Sequence, residues 1–259
     1  MRGWGAAAAA LLLAVAAGAE EPAPAPERDI DPDAIALVTR MSELLGKVQT
    51  LHYVADTAYD AVQPDGQKIE FGARREVTAH RPRRIRLEST DRDGTRRTLR
   101  YDGKLLSIVN ENEKAYATVE RTGTLDELAD YVHADLGIPT PLSELLSPDL
   151  PKLLTDEMQS ARYVGAELLD GKRVDHLAFR NEEVGVQLWI EQGSAPLPRR
   201  VVIDYEGSIG EPQFRADFVT WEIAGKAPDA LFRFEPPAGY ERVVFVPRKR
   251  TPPTEGAQP

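Results

Sequence analysis

The sequence predicts a mainly β (α+β) fold, a curved antiparallel half-barrel of about eleven strands with helices packed on its concave face. Three observations lead there. Apolar and polar residues alternate at a period of two through two long blocks, 51–119 and 162–223. Both blocks are punctuated by hairpin signals, among them Pro64-Asp65-Gly66, Asp93-Gly94, Asp102-Gly103 and Asp170-Gly171. Helical spacing occurs only before the first block and between the two. A flat open sheet of so many strands is unusual, so strong curvature short of closure is the economical arrangement.

The chain opens on Arg2 and an unbroken apolar run, Ala6 to Ala17, followed by the small residues Ala17-Gly18-Ala19. This is the pattern of an export signal over residues 1–19, with cleavage after Ala19. The run is shorter than the about 20 apolar residues that span a bilayer. A membrane anchor is the alternative reading; the expected mature chain is soluble, periplasmic and not membrane-spanning. Residues 20–30, with Pro22, Pro24 and Pro26, read as a Pro/Ala-rich disordered tether, and 248–259 as a disordered tail. A single domain is expected over 31–247.

Asp31 is a suitable N-cap, with Pro32 at the first helical position. Ala34, Leu37, Val38, Met41, Leu45 and Val48 then make one apolar stripe of a helix ending near Gln49. Leu51, Tyr53, Ala55, Thr57, Tyr59 and Ala61 share one face of a long strand, and Ile69, Phe71, Ala73, Val77 and Ala79 continue it on the return strand. Arg84-Ile85-Arg86-Leu87-Glu88 alternates strictly, as in a sheet wet on one side. Strands near 98–101, 105–109 and 115–119 complete a six-strand meander. Thr124 and Glu127 have capping-box spacing ahead of Leu125, Leu128, Ala129, Val132 and Leu136, with Gly137 and Pro139 as the stop. A short helix from Thr140-Pro141 carries Leu142, Leu145 and Leu146, and one more turn carries Leu150, Leu153 and Leu154. Five further strands follow at 162–169, 173–180, 184–191, 199–205 and 214–223, with Gly165, Gly171 and Gly185 as hairpin glycines.

Composition excludes several chemistries. Cysteine is absent, which removes thiol catalysis, disulfides and Cys-based metal sites. A net charge of −10 argues against a general nucleic-acid binder. Ten arginines between Arg74 and Arg100 run against that balance (74, 75, 81, 83, 84, 86, 92, 96, 97 and 100). They fit either outward strand faces, since Glu76, Glu88, Asp91 and Asp93 are interspersed, or a basic patch for anionic lipid or an acidic partner. His52, His80, His133 and His176 are scattered singly, without metal-ligand spacing. Ser194 lies in a turn without a nucleophile elbow, Glu182-Glu183 in another turn, and no phosphate-binding glycine motif occurs. No enzyme, cofactor or metal is expected.

An ordered set of segments carries a family resemblance: 174–180 (VDHLAFR), 187–191 (QLWIE), 196–203 (PLPRRVVI) and 231–237 (LFRFEPP). Asp31-Pro32-Asp33, Arg81-Pro82 and Tyr101-Asp102-Gly103-Lys104 match the same pattern. The chain resembles the predicted periplasmic-protein family known as domain of unknown function 2092. More distantly, the strand around Trp189, the turn and Pro196-Leu197-Pro198 are similar to the lipoprotein-sorting superfamily of the carrier LolA, the receptor LolB and the stress sensor RseB. That resemblance implies a LolA-like half-barrel holding acyl chains in an apolar cavity.

The candidate cavity wall is the apolar strand face: Tyr53, Tyr59, Phe71, Ile85 and Leu87, then Leu188, Ile190, Val201, Ile203, Phe214 and Phe218. Leu37, Met41, Leu128 and Val132 would be lid contacts. The same residues also read as ordinary packed core, the commoner role for any one of them. Trp189, on the opposite parity, either packs on an end helix or is exposed for docking. Two functions are expected from these alternatives. One is a non-enzymatic periplasmic carrier of a lipid or a lipoprotein acyl chain; the other is a ligand-free interaction or envelope-stress sensor module with an envelope protein partner.

Overall fold

A computed structural model describes residues 28–143, 147, 149–223 and 225–245. The expected signal (1–19), residues 20–27 of the expected tether, Leu145, Leu146 and the expected tail (248–259) lie outside the described residues.

Helix α1 (Pro32–Lys47) forms for the expected reasons: Pro32 begins it, and the Asp31 carboxylate accepts from Asp33 N at 2.9 Å. Its buried stripe is Ala34, Val38, Met41, Ser42 and Leu45. Six strands follow as a meander: β2 (Thr50–Val62), β3 (Lys68–His80), β4 (Arg84–Asp91), β5 (Arg96–Tyr101), β6 (Leu105–Asn110) and β7 (Ala115–Glu120). Helix α2 (Leu125–Ala134) starts at a full capping box between Thr124 and Glu127. Residues 141–143 form a turn, with Ser143 N donating to Thr140 O at 3.0 Å, and the rest of the expected short helix lies outside the described residues. Helix α3 (Leu150–Glu157) precedes the second meander: β8 (Ser160–Leu169), β9 (Lys172–Arg180), β10 (Gly185–Glu191), β11 (Pro198–Asp204) and β12 (Gln213–Glu222).

All eleven expected strands are present, and two short ones add to them, β1 (Asp29–Ile30) and β13 (Glu241–Val243). The expected tether is thereby corrected at its end: Asp29 and Ile30 pair in parallel with Ser160 and Ala161 of β8. Likewise β13 pairs in parallel with β7. Gly165 is no hairpin glycine either; it sits at φ 147° where the β8–β9 register shifts, a bulge.

The sheet order is β1-β8-β9-β10-β11-β12-β2-β3-β4-β5-β6-β7-β13. The second meander therefore precedes the first in space, and β12 joins β2 antiparallel, from Phe214 opposite Tyr59 to Trp221 opposite Tyr53. Strands β7 and β8 lie near opposite edges. The chain between them, α2 and α3 included, crosses the sheet from one side to the other. The helices pack on one face, the concave side of a mainly β open sheet.

That face is divided. Under α1 and α3, Val38, Met41, Leu45, Leu150 and Leu154 pack on Leu177, Phe179, Leu188, Ile190, Phe214 and Phe218. Under α2, Leu128 and Val132 pack on Tyr101 and Leu106. Tyr53, Phe218 and Trp221 form an aromatic cluster at the β2–β12 seam, with ring centroids 4.9–5.3 Å apart. Trp189 takes neither expected role. It lies on the convex side, stacked on His176 at 4.1 Å with Arg200 over its ring, and its indole N–H donates to Glu167.

Leu177 is fully buried beneath α1 whereas Leu168 is 69% exposed on β8. Leu177→Ala is therefore expected to cost about 2–5 kcal/mol in urea unfolding, and Leu168→Ala within about 0.5 kcal/mol of no change. A loss at Leu177 no larger than that at Leu168 would overturn the packing described for this half.

Candidate functional site

Cross-strand register places the concave residues of β2 to β6 in rows. Leu51, Ala79, Ile85, Tyr101 and Leu106 form the first row, and Tyr53, Val77, Leu87, Leu99 and Ile108 the second. The third holds Ala55, Arg75, Ser89 and Arg97, and the fourth Thr57, Ala73 and Asp91. Tyr59 and Phe71 face each other in the fifth, rings stacked at 5.9 Å. The rows run from apolar to charged to aromatic along the strand direction.

Helix α2 does not fill the space over these rows. A cavity of about 700 Å³ remains, walled by the sheet, by Leu125, Leu128, Ala129 and Val132 of α2, and by residues 138–143. Its size lies within the roughly 300–1,000 Å³ range of small-molecule sites. Small wall residues leave the space: Ala73 and Ala79 on the sheet and Ala129 on α2 border it, whereas the half under α1 presents Leu177, Phe179, Leu188, Ile190, Phe214 and Phe218. Tyr59 and Phe71, 44% and 47% exposed, mark where the cavity meets solvent.

Seven of the sequence-predicted wall residues meet at this cavity: Tyr53, Tyr59, Phe71, Ile85, Leu87, Leu128 and Val132. The other eight do not line it. Leu37, Met41, Leu188, Ile190, Val201, Ile203, Phe214 and Phe218 belong to the core packed under α1 and α3. Alternation names the inward face of a strand but not the helix that covers it, and α1 fills its half. The prediction missed Leu51, Val77, Leu99, Ile108 and Leu142, and the charged residue Arg75. Arg75 shares the parity of Ala73 and Val77, which was signal enough to turn it inward.

Six of the ten arginines between 74 and 100 are ion-paired: Arg74 with Asp56, Arg84 with Asp229, Arg86 with Glu88, Arg92 with Glu70, Arg96 with Glu111 and Arg97 with Asp91. The outward-face reading accounts for most of the run. Arg92, Arg97 and Glu70 also border the cavity. Gly72 is needed there, because a Cβ would come within 2.7 Å of the Thr57 backbone oxygen and 2.6 Å of Arg92 Nε. Arg75 differs: its Nε is buried without a hydrogen-bond partner, and no described residue forms an ion pair with it. Burial lowers its pKa, partly offset by Tyr53, Asp91 and Tyr59. At the other end of the cavity Arg81 lies in the field of Asp126. Among the described residues, no group of three or more His, Asp or Glu side chains could hold a metal ion. No helix among them is long and apolar enough to cross a membrane.

The family described as "Predicted periplasmic protein (DUF2092)" matches residues 34–246, and the chain belongs to that family. No curated protein matches. Among solved structures, the chain is similar to the lipoprotein LppX of Mycobacterium tuberculosis, with 14% identity, a TM-score of 0.45, and coverage of 74% of this chain and 96% of that one. A LolA superfamily protein of Nitrosomonas europaea gives 12% identity, a TM-score of 0.34 and coverage of 78% and 97%. MucB in the MucA/MucB complex of Pseudomonas aeruginosa gives 18% identity, a TM-score of 0.41 and coverage of 77% and 60%. These are likenesses of fold.

Burial pushes the Tyr53 hydroxyl up to about 12, with Arg75 pulling the other way. Because this folded-state value lies above the unfolded value of 10.0, the contribution to stability is intact below about pH 10 and is lost as pH rises toward 12. The expected loss over that window is about 3 kcal/mol. Absorbance titration should show a late-ionising tyrosine that Tyr53→Phe removes, and unfolding of that variant should be less sensitive to alkali. An unchanged late phase in Tyr53→Phe would assign it elsewhere.

Proposed function

With membership of that periplasmic family as the premise, we propose that the chain is a non-enzymatic periplasmic protein that holds an apolar ligand, a lipid or an acyl chain, in the cavity beneath α2. The observation that carries this reading is the cavity itself: about 700 Å³ between sheet and helix, walled mainly by Leu, Ile, Val and Ala side chains and open beside Tyr59 and Phe71. A packed core would leave no such space. Transfer of an acyl chain into it is worth about 0.8 kcal/mol per buried CH₂, so chain length alone supplies affinity. The apolar rows nearest α2 suit the tail, and the charged row lies closer to solvent.

An interaction module is the second reading, and one observation favours it. Beyond the two residues paired to β1 and Tyr163, whose backbone N–H donates to the Asp31 carboxylate at 3.2 Å, the outer edge of β8 has no strand partner among the described residues from Val164 to Leu169, with Val164 56% and Leu168 69% exposed. Such an edge can accept a strand from a partner. Carrier and edge-binding functions use different surfaces, so each is tested separately.

Protein purified without detergent should yield lipid in an organic extract by mass spectrometry, and should bind a fluorescent fatty acid that unlabelled chains displace. Ala129→Trp fills the cavity from the helix side and is expected to weaken probe binding by more than about tenfold, or 1.4 kcal/mol, with little change in thermal midpoint. Absence of extracted lipid together with no probe uptake by the parent protein would remove the carrier reading. For the second reading, Val164→Lys should abolish any strand-mediated partner binding and leave probe uptake intact.

A further inference from the structure

The cavity has a chemical polarity that its apolar walls alone do not explain. Along β3 from Ala79 to Phe71 the inward positions read Ala79, Val77, Arg75, Ala73 and Phe71. At about 3.3 Å of rise per residue, roughly 13 Å of apolar wall lies on the α2 side of Arg75, and a similar distance separates it from the aromatic rim.

The charges near that row cancel in pairs, with one exception. Arg92 donates to Glu70 at 2.7 Å, Arg97 pairs with Asp91, and Ser89 also donates to Asp91 at 3.4 Å. Asp93 closes its own turn, accepting from Thr95 N at 2.8 Å. At the far end Asp126 faces Arg81. Only Arg75 projects into the middle of the wall with neither an ion pair nor a hydrogen bond to Nε among the described residues. A guanidinium offers five donors in a planar fork that matches a carboxylate or phosphate. Taking its Nε out of water without a hydrogen-bond partner, on a side chain that is partly buried, is unfavourable for folding. A residue that lowers stability while lining a cavity marks what the cavity recognises.

We propose that Arg75 anchors an anionic head group, so that the ligand is an acidic amphiphile: an acyl chain pointing toward the Leu51 and Ile85 row, ending in a carboxylate or a phosphate at Arg75. This rests on the carrier reading and narrows it to a ligand class. Tyr53 on β2 and Tyr59 nearer the rim lie close enough to interact electrostatically with the guanidinium, and their hydroxyls are further donors on the same side of the wall. Asp91, held by Arg97, would repel an anion that bypassed Arg75 toward β5.

The test uses three amphiphiles of equal chain length: palmitate, hexadecanol and 1-palmitoyl lysophosphatidate. Each competes against a fluorescent fatty-acid probe on the full chain, on Arg75→Met and on Arg75→Lys. The parent protein is expected to bind at least one of the two acids about ten- to a hundredfold more tightly than hexadecanol, the range of a hydrogen-bonded charge pair. The ranking of palmitate against lysophosphatidate decides between carboxylate and phosphate. In Arg75→Met the acids should fall to the level of hexadecanol, and Arg75→Lys should keep part of the preference. The thermal midpoint of Arg75→Met should equal or exceed that of the parent, as expected when a partly buried charge without an ion pair is replaced by an apolar side chain. If Arg75 were a structural pin the midpoint would drop, and that result overturns the proposal. So does a parent protein that binds hexadecanol as tightly as both acids, or an Arg75→Met variant that keeps the acid preference; either leaves the carrier reading standing. Failure of the parent protein to bind any of the three removes the carrier reading, and the head-group assignment with it.

Discussion

The pairing of β2 with β12 is the constraint on which the rest depends. It joins residues about as far apart in sequence as the fold allows, Tyr53 with Trp221 and Tyr59 with Phe214, and fuses two meanders into one sheet. Without it the first meander has no neighbour for the long inner edge of β2, and the second has none for β12. The Tyr53, Phe218 and Trp221 cluster packs at this joint, and Trp221 donates to Pro198 O at 2.8 Å, tying the joint to β11. Contacts this distant carry a large loop-closure cost, so they form late and only once both meanders exist to reward them.

From that joint outward the two halves follow different rules. On the β12 side large side chains meet the amphipathic face of α1, sixteen residues long, and pack into one hydrophobic core. On the β2 side the shorter α2 is fixed through Leu128 and Val132, through Leu125 N donating to Pro82 O at 2.8 Å, and through Tyr101, whose hydroxyl donates to Gly123 O at 2.9 Å. The small side chains of Ala73, Ala79 and Ala129 then leave space beneath it. The packed half supplies the burial that stabilises the fold, and the half with the cavity gives up packing and shelters a charge. Stability given up at a site and recovered elsewhere is what a binding protein is expected to show.

Much of this was legible in the residues. Period-two alternation and turn chemistry located eleven strands, and the Asp31 and Thr124 caps located two helices, because those signals are local. The short parallel strands β1 and β13 were not legible. Two or three residues held by a distant edge carry no period of their own. The cavity was half legible. Parity identified the inward faces, whereas which helix lies on which face is settled by the crossover of the chain, a tertiary fact. Side-chain size along those faces was the overlooked signal: Ala73 and Ala79 in one half, Phe214 and Phe218 in the other. Arg75 was read with its neighbours as a surface charge, although its parity sets it between Ala73 and Val77.

The segment between β7 and β8 is fastened to both sides of the sheet and passes over its hollow, as a string is fastened to a bow. Bend of the limb and tension of the string are then a single mechanical variable. Material larger than the space already there would have to flatten the sheet or shift the segment at Gly137 to Pro141, where the chain runs from α2 into the turn at 141–143. Overfilling that space would load the outer strands, where β1 and β13 are held by only a few backbone pairs.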